Sequence, residues 1–197
     1  MIKAIKGTLL FVSLLYITFY IPMAVTVYTP QWMKFNCDFH KRCEVVGINE
    51  ANKGISELSA YFRHQGGGLK TFYTDKEKLH LKEVRGIFDK LFILGFGALI
   101  LLALTFNCKR VSRFALVNAI LILSLLLVLP FFGTFWREIF HPLMFNNELW
   151  MNNQYDLSFY IMPRQFFKYT VGLLTVICFL INIGIWLGLR ERGKALK

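Results

Sequence analysis

The chain has 197 residues; 55% are hydrophobic, only 18% are charged, and the formal net charge is +11. A soluble domain of this length has no use for so many long apolar runs, so the composition excludes an ordinary water-soluble enzyme and points to a membrane protein. The positive surplus suits an anionic membrane surface and gives no reason to expect nucleic acid as a partner.

The first apolar run, residues 8–28, follows Lys3 and Lys6. It begins like a secretory signal, but it is too long and no A-x-A cleavage site follows, so it reads as a retained anchor. Pro22 inside it is tolerated in a membrane helix. Three more runs follow, at residues 91–106, 114–132 and 169–189. About 20 helical residues cross the hydrocarbon core of a bilayer. The run at 91–106 falls short of that and is expected to borrow a turn from the residues before it, with Lys90 snorkelling. All four must be helical, because lipid offers no partners to open backbone groups.

Charge sets the expected orientation. Lys3 and Lys6 precede the first run, Lys109, Arg110 and Arg113 fill the turn between the second and third, and Arg190, Arg192, Lys194 and Lys197 follow the fourth, against a single acid, Glu191. By the positive-inside rule these short segments are cytoplasmic. The expected organisation is a transmembrane helix in 1–28, an outward segment 29–90 leading into helix two, helices two and three in 91–132, a second outward, aromatic segment 133–168, and helix four with a cytoplasmic tail in 169–197. The fold class is all-α integral membrane, with four transmembrane helices and a small, mainly helical extracytoplasmic cap. Asn118 and Asn182 are polar residues inside spans three and four, suited to hydrogen bonds between helices of one chain or of two. The sequence does not set the oligomeric state.

Within 29–90, Ile48, Ala51, Ile55, Leu58 and Phe62 recur at helical spacing and form one apolar stripe. Gly66, Gly67 and Gly68 end that helix. Residues 69–73 look strand-like. Thr74 and Glu77 then form a T-x-x-E capping box, the start of a helix expected to run straight into the second span. Cys37 and Cys43, in CDFHKRC, either form a disulfide closing a small loop or remain free thiols. A zinc reading of CDFHKRC lacks a matching second half. Cys108 and Cys178 have no partner in view.

Two histidines stand on the same expected side of the membrane. His80 shares a helix face with Val84, Ile87 and Leu91, and Glu83 follows at i+3. His141 lies in the second outward segment, in FWREIFHPLMFNNELW. Histidine titrates near neutrality and serves as general acid or base, although a histidine packed under a cap and satisfied by a neighbour is the plainer alternative. Glu83 or Asp156 is a candidate to orient one imidazole. Adding His40 and His64 does not make a convincing metal site, because neither H-x-x-x-H nor H-E-x-x-H occurs. Ser158 lacks the G-x-S-x-G context of a nucleophile. Interfacial belts account for Tyr28, Trp32 and Tyr169. They account less well for the rings at 131–136 and 145–150, which crowd around His141 and suit a water-excluding cleft for an acyl chain. Pro163 and Arg164 would turn the chain back into the fourth helix.

LHLKEV (79–84), FHPLMFNNELW (140–150) and YDLSFYIMPRQFF (155–167) together resemble the bacterial lipoprotein intramolecular transacylases, over nearly the whole chain. Glu83 stands at the acid of that family's H-L-x-D/E-V pattern. The resemblance implies an O-to-N acyl transfer within a diacylated lipoprotein. The sn-2 chain of the glyceryl group moves to the α-amine of the N-terminal cysteine, giving the lyso form. It implies His80 and His141 as the catalytic pair, in a multi-pass protein of the bacterial cell membrane whose active site faces outward. Arg85 and Arg164 are then candidates to hold the oxyanion. Phe140, Phe145, Trp150, Tyr155 and Tyr160 are candidates to contact the substrate. Ester-to-amide exchange is downhill, and no P-loop or G-x-G-x-x-G occurs, so no cofactor is expected. The expected partners are the lipoprotein substrate and membrane lipid. Two rival readings stay open: a non-enzymatic membrane binding or assembly protein, and a metal-dependent membrane lipid hydrolase.

Overall fold

Each of the four apolar runs lies inside a longer helix. The computed structural model describes residues 2–70 and 72–195, with 192–195 described by backbone alone. Helix α1 spans Ile2–Tyr28 and contains Pro22. Two shorter helices follow, α2 over Gln31–His40 and α3 over Ile48–Phe62. Helix α4 runs unbroken over Asp75–Thr105, so the short second run does borrow from the residues before it. The third span starts as α5, Cys108–Ser124, capped by Asn107, whose side chain accepts the Arg110 N–H at 3.1 Å. It tightens to 3-10 geometry over Leu125–Phe131, around Pro130, which has no N–H to give. It then passes through α6 (Phe132–Thr134), a π-helical turn (Phe135–Phe140) and α7 (His141–Met144). The short α8 is Leu157–Ile161, and α9 is Arg164–Ala195. Four helical stretches are long and apolar enough to cross a bilayer, and the described residues contain no strand. The protein is an all-α, multi-pass membrane protein.

The chain divides into two units. The first is Met1–Met23, Lys90–Leu129 and Gly172–Lys197. Leu10 and Leu14 of α1 meet Val111 and Ala115 of α5 there, with Trp186 and Leu189 of α9 packed against them. Some polar groups inside the apolar helices are paired, whereas the buried Asn118 amide forms no hydrogen bond among the described residues. Asn182 donates to Thr18 Oγ1 at 3.0 Å and to Cys178 O at 2.8 Å, and the Tyr16 hydroxyl donates to Leu91 O at 2.6 Å. Asn182 therefore joins two helices of the same chain. In a medium without water such bonds remove a cost that the free groups would otherwise carry.

The second unit is Ala24–Asp89 and Pro130–Val171. Its core takes Ala51, Ile55, Leu58 and Phe62 from the stripe on α3, Leu81 from α4, and Leu157 and Ile161 from α8. Ile48, at the first turn of α3, stays 38% exposed. Cys37 and Cys43 are joined as a disulfide with Cα atoms 5.5 Å apart, and both are buried in this core. Gly54 allows a close approach where α8 crosses α3: a Cβ there would lie 2.6 Å from Leu157 Cδ2, so the buried Leu157 side chain would have to shift.

Residues 69–73 do not form the expected strand. Leu69 and Lys70 are irregular and Phe72 is a bend, while Thr71 lies outside the described residues. A strand needs a neighbour for its open backbone groups, and the described residues provide none. Tyr73 instead plugs into the core at 3% exposure and donates its hydroxyl to Gly54 O at 2.9 Å. Burial, and then the Glu77 and Glu57 carboxylates, push its phenol well above the usual tyrosine range.

Candidate active site

The capping box places the first half of the site. Thr74 N–H donates to Glu77 Oε2 at 2.8 Å, and Glu77 N–H donates to Thr74 Oγ1 at 3.3 Å. Glu77 is only 1% exposed and does more than cap α4. Its carboxylate also accepts the N–H groups of Leu157 at 3.2 Å and Ser158 at 2.7 Å, at the start of α8. One buried carboxylate thus fixes the entries of two helices, and an anion belongs where unpaired N–H groups converge.

Asp156 completes this clamp. It is 2% exposed and accepts from Thr74 Oγ1 at 2.8 Å, Lys76 Nζ at 2.5 Å and Asn153 N–H at 2.8 Å. Burial by itself would raise its pKa. The hydrogen bonds from Lys76, Asn153 and Thr74, with the Lys76 charge, outweigh burial and hold the carboxyl below the usual range. Asp156 thus pairs with Thr74, Lys76 and Asn153 rather than with an imidazole, and Glu83 is the carboxylate beside one. Ser158 is buried at 3% exposure with its N–H on Glu77.

One and a half turns into α4, His80 is mostly buried, with its side chain 13% exposed. Its Nδ1 lies 3.5 Å from Glu83 Oε2, an ion-pair distance that stops short of a formed hydrogen bond. The other oxygen of Glu83 accepts from Asn147 Nδ2 at 2.8 Å. Asn147 Oδ1 in turn accepts the Leu149 N–H at 3.0 Å, so the loop after α7 is tied to the acid beside His80.

His141 sits where the π-helical turn passes into α7, at 5% exposure. The carbonyl of Trp136 accepts its backbone N–H, and the same oxygen lies 2.7 Å from its Nδ1. A carbonyl only accepts, so Nδ1 carries the proton and, in the neutral ring, Nε2 carries the lone pair. Around the imidazole stand Trp136, edge-on at 4.6 Å, Trp150, stacked at 4.1 Å, and Phe140 at 5.3 Å. Phe145 links the two histidines, with its ring 4.7 Å from His80 and 5.8 Å from His141. Trp136 is itself backed by Phe167 at 4.4 Å and Phe140 at 4.7 Å.

The remaining candidates are placed as follows. Arg164 is exposed at the start of α9, with its guanidinium against Gly133; a Cβ at Gly133 would lie 3.3 Å from Nη1. Three residues on, Phe167 stacks on Trp136, so Arg164 belongs to the helix turn that backs the His141 cage. Arg85 lies over the ring of Tyr61 at 4.1 Å. Tyr155 is 77% exposed, and Tyr160 donates to Gln154 O at 3.0 Å with its ring on Phe159. His40 Nδ1 accepts the Arg42 N–H at 3.2 Å, and His64 pairs with Asp89 at 2.8 Å. Among the described residues no three His, Cys, Asp or Glu side chains converge as a metal-ligand set. The sequence marks Trp136 only as one of the rings near His141 and does not mark Asn147; the signal for the Trp136 carbonyl is its place five residues before His141, the reach of a π-helical bond.

Residues 8–167 match the family model for lipoprotein intramolecular transacylase Lit. The chain belongs to the Lit family. It is therefore an acyltransferase of the lipoprotein intramolecular transacylase type, integral to the membrane. No curated protein matches the chain significantly. Among solved structures, the membrane-integral lipoprotein intramolecular transacylase Lit from Bacillus cereus is similar in fold, with a TM-score of 0.84 at 16% identity, over 98% of both chains. A histidine-to-alanine variant of that protein matches with a TM-score of 0.82 at 16% identity, over 100% of this chain and 96% of the other.

Proposed function

We propose that this member of the Lit family moves the sn-2 acyl chain of a diacylglyceryl-modified lipoprotein to the α-amine of its own N-terminal cysteine, using His141 as base and His80 as acid. The observation that carries the assignment is the Trp136 carbonyl on His141 Nδ1, which leaves Nε2 as the site that takes a proton. The amine nitrogen attacks the ester carbonyl, and a C–N bond forms as Nε2 of His141 takes the proton from nitrogen. His80 gives a proton to the glyceryl oxygen as the C–O bond breaks; burial lowers its pKa, which makes it a readier donor once charged, and Glu83 beside it partly offsets burial by favouring the charged ring. The proton lost by nitrogen balances the one gained by the glyceryl oxygen, return of a proton from His141 to His80 resets the pair, and the energy of the ester drives amide formation.

Donor and acceptor lie on one substrate, so holding them in an attack geometry supplies much of the rate; well-oriented intramolecular steps gain roughly 7–11 kcal/mol. The rings of Trp136, Phe140, Phe145 and Trp150 give the acyl chain an apolar wall and keep out the water that would release free fatty acid. Arg164 is the better candidate for the oxyanion, because the Arg85 guanidinium is already engaged over Tyr61. The unit bearing the histidines lies outside the cytoplasm in this reading. The Cys37–Cys43 disulfide supports that side, since such bonds persist in oxidising compartments. The test is a mass-neutral migration of one acyl chain within a diacylated lipopeptide; loss of a fatty acid instead would mark a hydrolase.

A further inference from the structure

The first unit contains a cleft that the reaction does not use. Its volume is about 410 Å³, and it opens between the start of α1 and the start of α5. Lys3, Arg110 and Arg113 line it together with Phe11 and Phe114, and among the described residues its wall holds no carboxylate. The two rings meet edge-on at 5.5 Å. Gly7 leaves the floor open; a Cβ there would come only to 3.9 Å from Arg110 Nη1. Arg110 donates Nη1 to Lys3 O at 3.4 Å, which aims its guanidinium across the cleft.

The placement of these charges is unfavourable in isolation. Arg110 and Arg113 stand in the first turns of α5, whose first turn carries no acid. A helix N-terminus is the positive end of the macrodipole and repels cations. An anion in the cleft relieves both repulsions, and the Asn107 cap holds the Arg110 backbone in place beside it.

We infer that this cleft binds the phosphate of an anionic glycerophospholipid, with the lipid's glycerol and first methylenes against Phe11 and Phe114. Three cations with no carboxylate fit a headgroup whose net charge is negative and offer nothing to the ammonium of a zwitterionic one. The aromatic pair, at the ends of two apolar helices, selects a lipid over free phosphate. This rests on the helix ends lying at a membrane surface, not on the acyl-transfer reading.

Native mass spectrometry of the full-length protein, released from mixed micelles of phosphatidylglycerol and phosphatidylcholine, tests it. One phosphatidylglycerol should stay bound in preference to phosphatidylcholine by about tenfold, in line with the pull of a few surface cations. Arg110→Gln with Arg113→Gln should abolish the preference. Gly7→Leu, which keeps every charge and suits a helix better than glycine, should abolish it by filling the cleft. Equal retention of the two lipids by the unmodified chain, preference surviving in either variant, or displacement of the lipid by millimolar inorganic phosphate would each overturn the inference.

Discussion

Trp136 and His141 are joined twice through one atom: the Trp136 carbonyl takes the backbone N–H of His141 and lies 2.7 Å from its Nδ1. An α-helical register would offer the carbonyl of residue 137 instead; the π-helical turn brings round that of 136. The consequence is a fixed tautomer. In the neutral protein, nitrogen NMR of labelled histidine should show Nδ1 protonated and Nε2 bare at His141, and the opposite pattern would remove it as the base. His141→Ala should cut the transfer rate by about 10²–10⁴, the range for losing a general base. Its thermal midpoint should stay near that of the parent.

In the proposed reaction Glu83 acts through His80 and is a positioning residue. Replacing it with Gln keeps the shape and removes the charge, and should lower kcat about tenfold with KM unchanged, as expected for losing one charge-assisted contact. Asn147→Ala, which frees the far oxygen of Glu83, should do the same more weakly. A change confined to KM in both variants would contradict the role.

The Asp156 clamp predicts an acid limit to stability. Its carboxyl is held below the usual range in the folded protein, so its contribution is complete above the unfolded value, about 3.9, and is lost as pH falls through the folded value. Burial lowers the pKa of His40, His80 and His141, so thermal midpoints should already decline as pH falls below about 6.5, and the Asp156 clamp should add a further drop below about pH 4. Asp156→Asn should weaken that acid limb and lower stability near neutrality by roughly 3 kcal/mol, since it leaves Lys76 beside a neutral partner. An acid limb of the same depth in the Asn variant would assign it to other carboxylates.

Much of the fold was legible because membrane helices obey few rules. The α3 stripe needed only its period, and the Thr74–Glu77 box needed only its spacing; the structure forms both as read. What the spacing did not reveal was the further use of Glu77, which also holds the start of α8, because a contact across 80 residues leaves no local signal. The same holds for Asp156, whose partners Thr74 and Lys76 lie far back in the chain. Residues 69–73 misled because aromatic and threonine content suggests a strand, yet Tyr73 is anchored singly, through its hydroxyl. Glu83 beside His80 was readable from i+3 spacing; the aromatic cage of His141 was readable as composition, but not which ring does what.

The cysteines report orientation without any added probe. In intact cells a membrane-impermeant maleimide should leave Cys108, which is exposed, unlabelled until the membrane is opened. Cys37 and Cys43, disulfide-linked and buried, should stay unlabelled on both sides of that step. Labelling of Cys108 in intact cells would reverse the topology. Replacing both disulfide cysteines with Ser should cost about 2 kcal/mol, the scale for so short a loop.

The most direct test follows one acyl chain on one molecule. The purified full-length protein is incubated with a synthetic diacylated lipopeptide, and the product is fragmented by tandem mass spectrometry. The account predicts an unchanged total mass with one chain moved from the glyceryl oxygen to the cysteine nitrogen, and that movement slowed by about 10²–10⁴ with His80→Ala or His141→Ala. A product lighter by one fatty acid, or full acyl migration in both histidine variants, would contradict it.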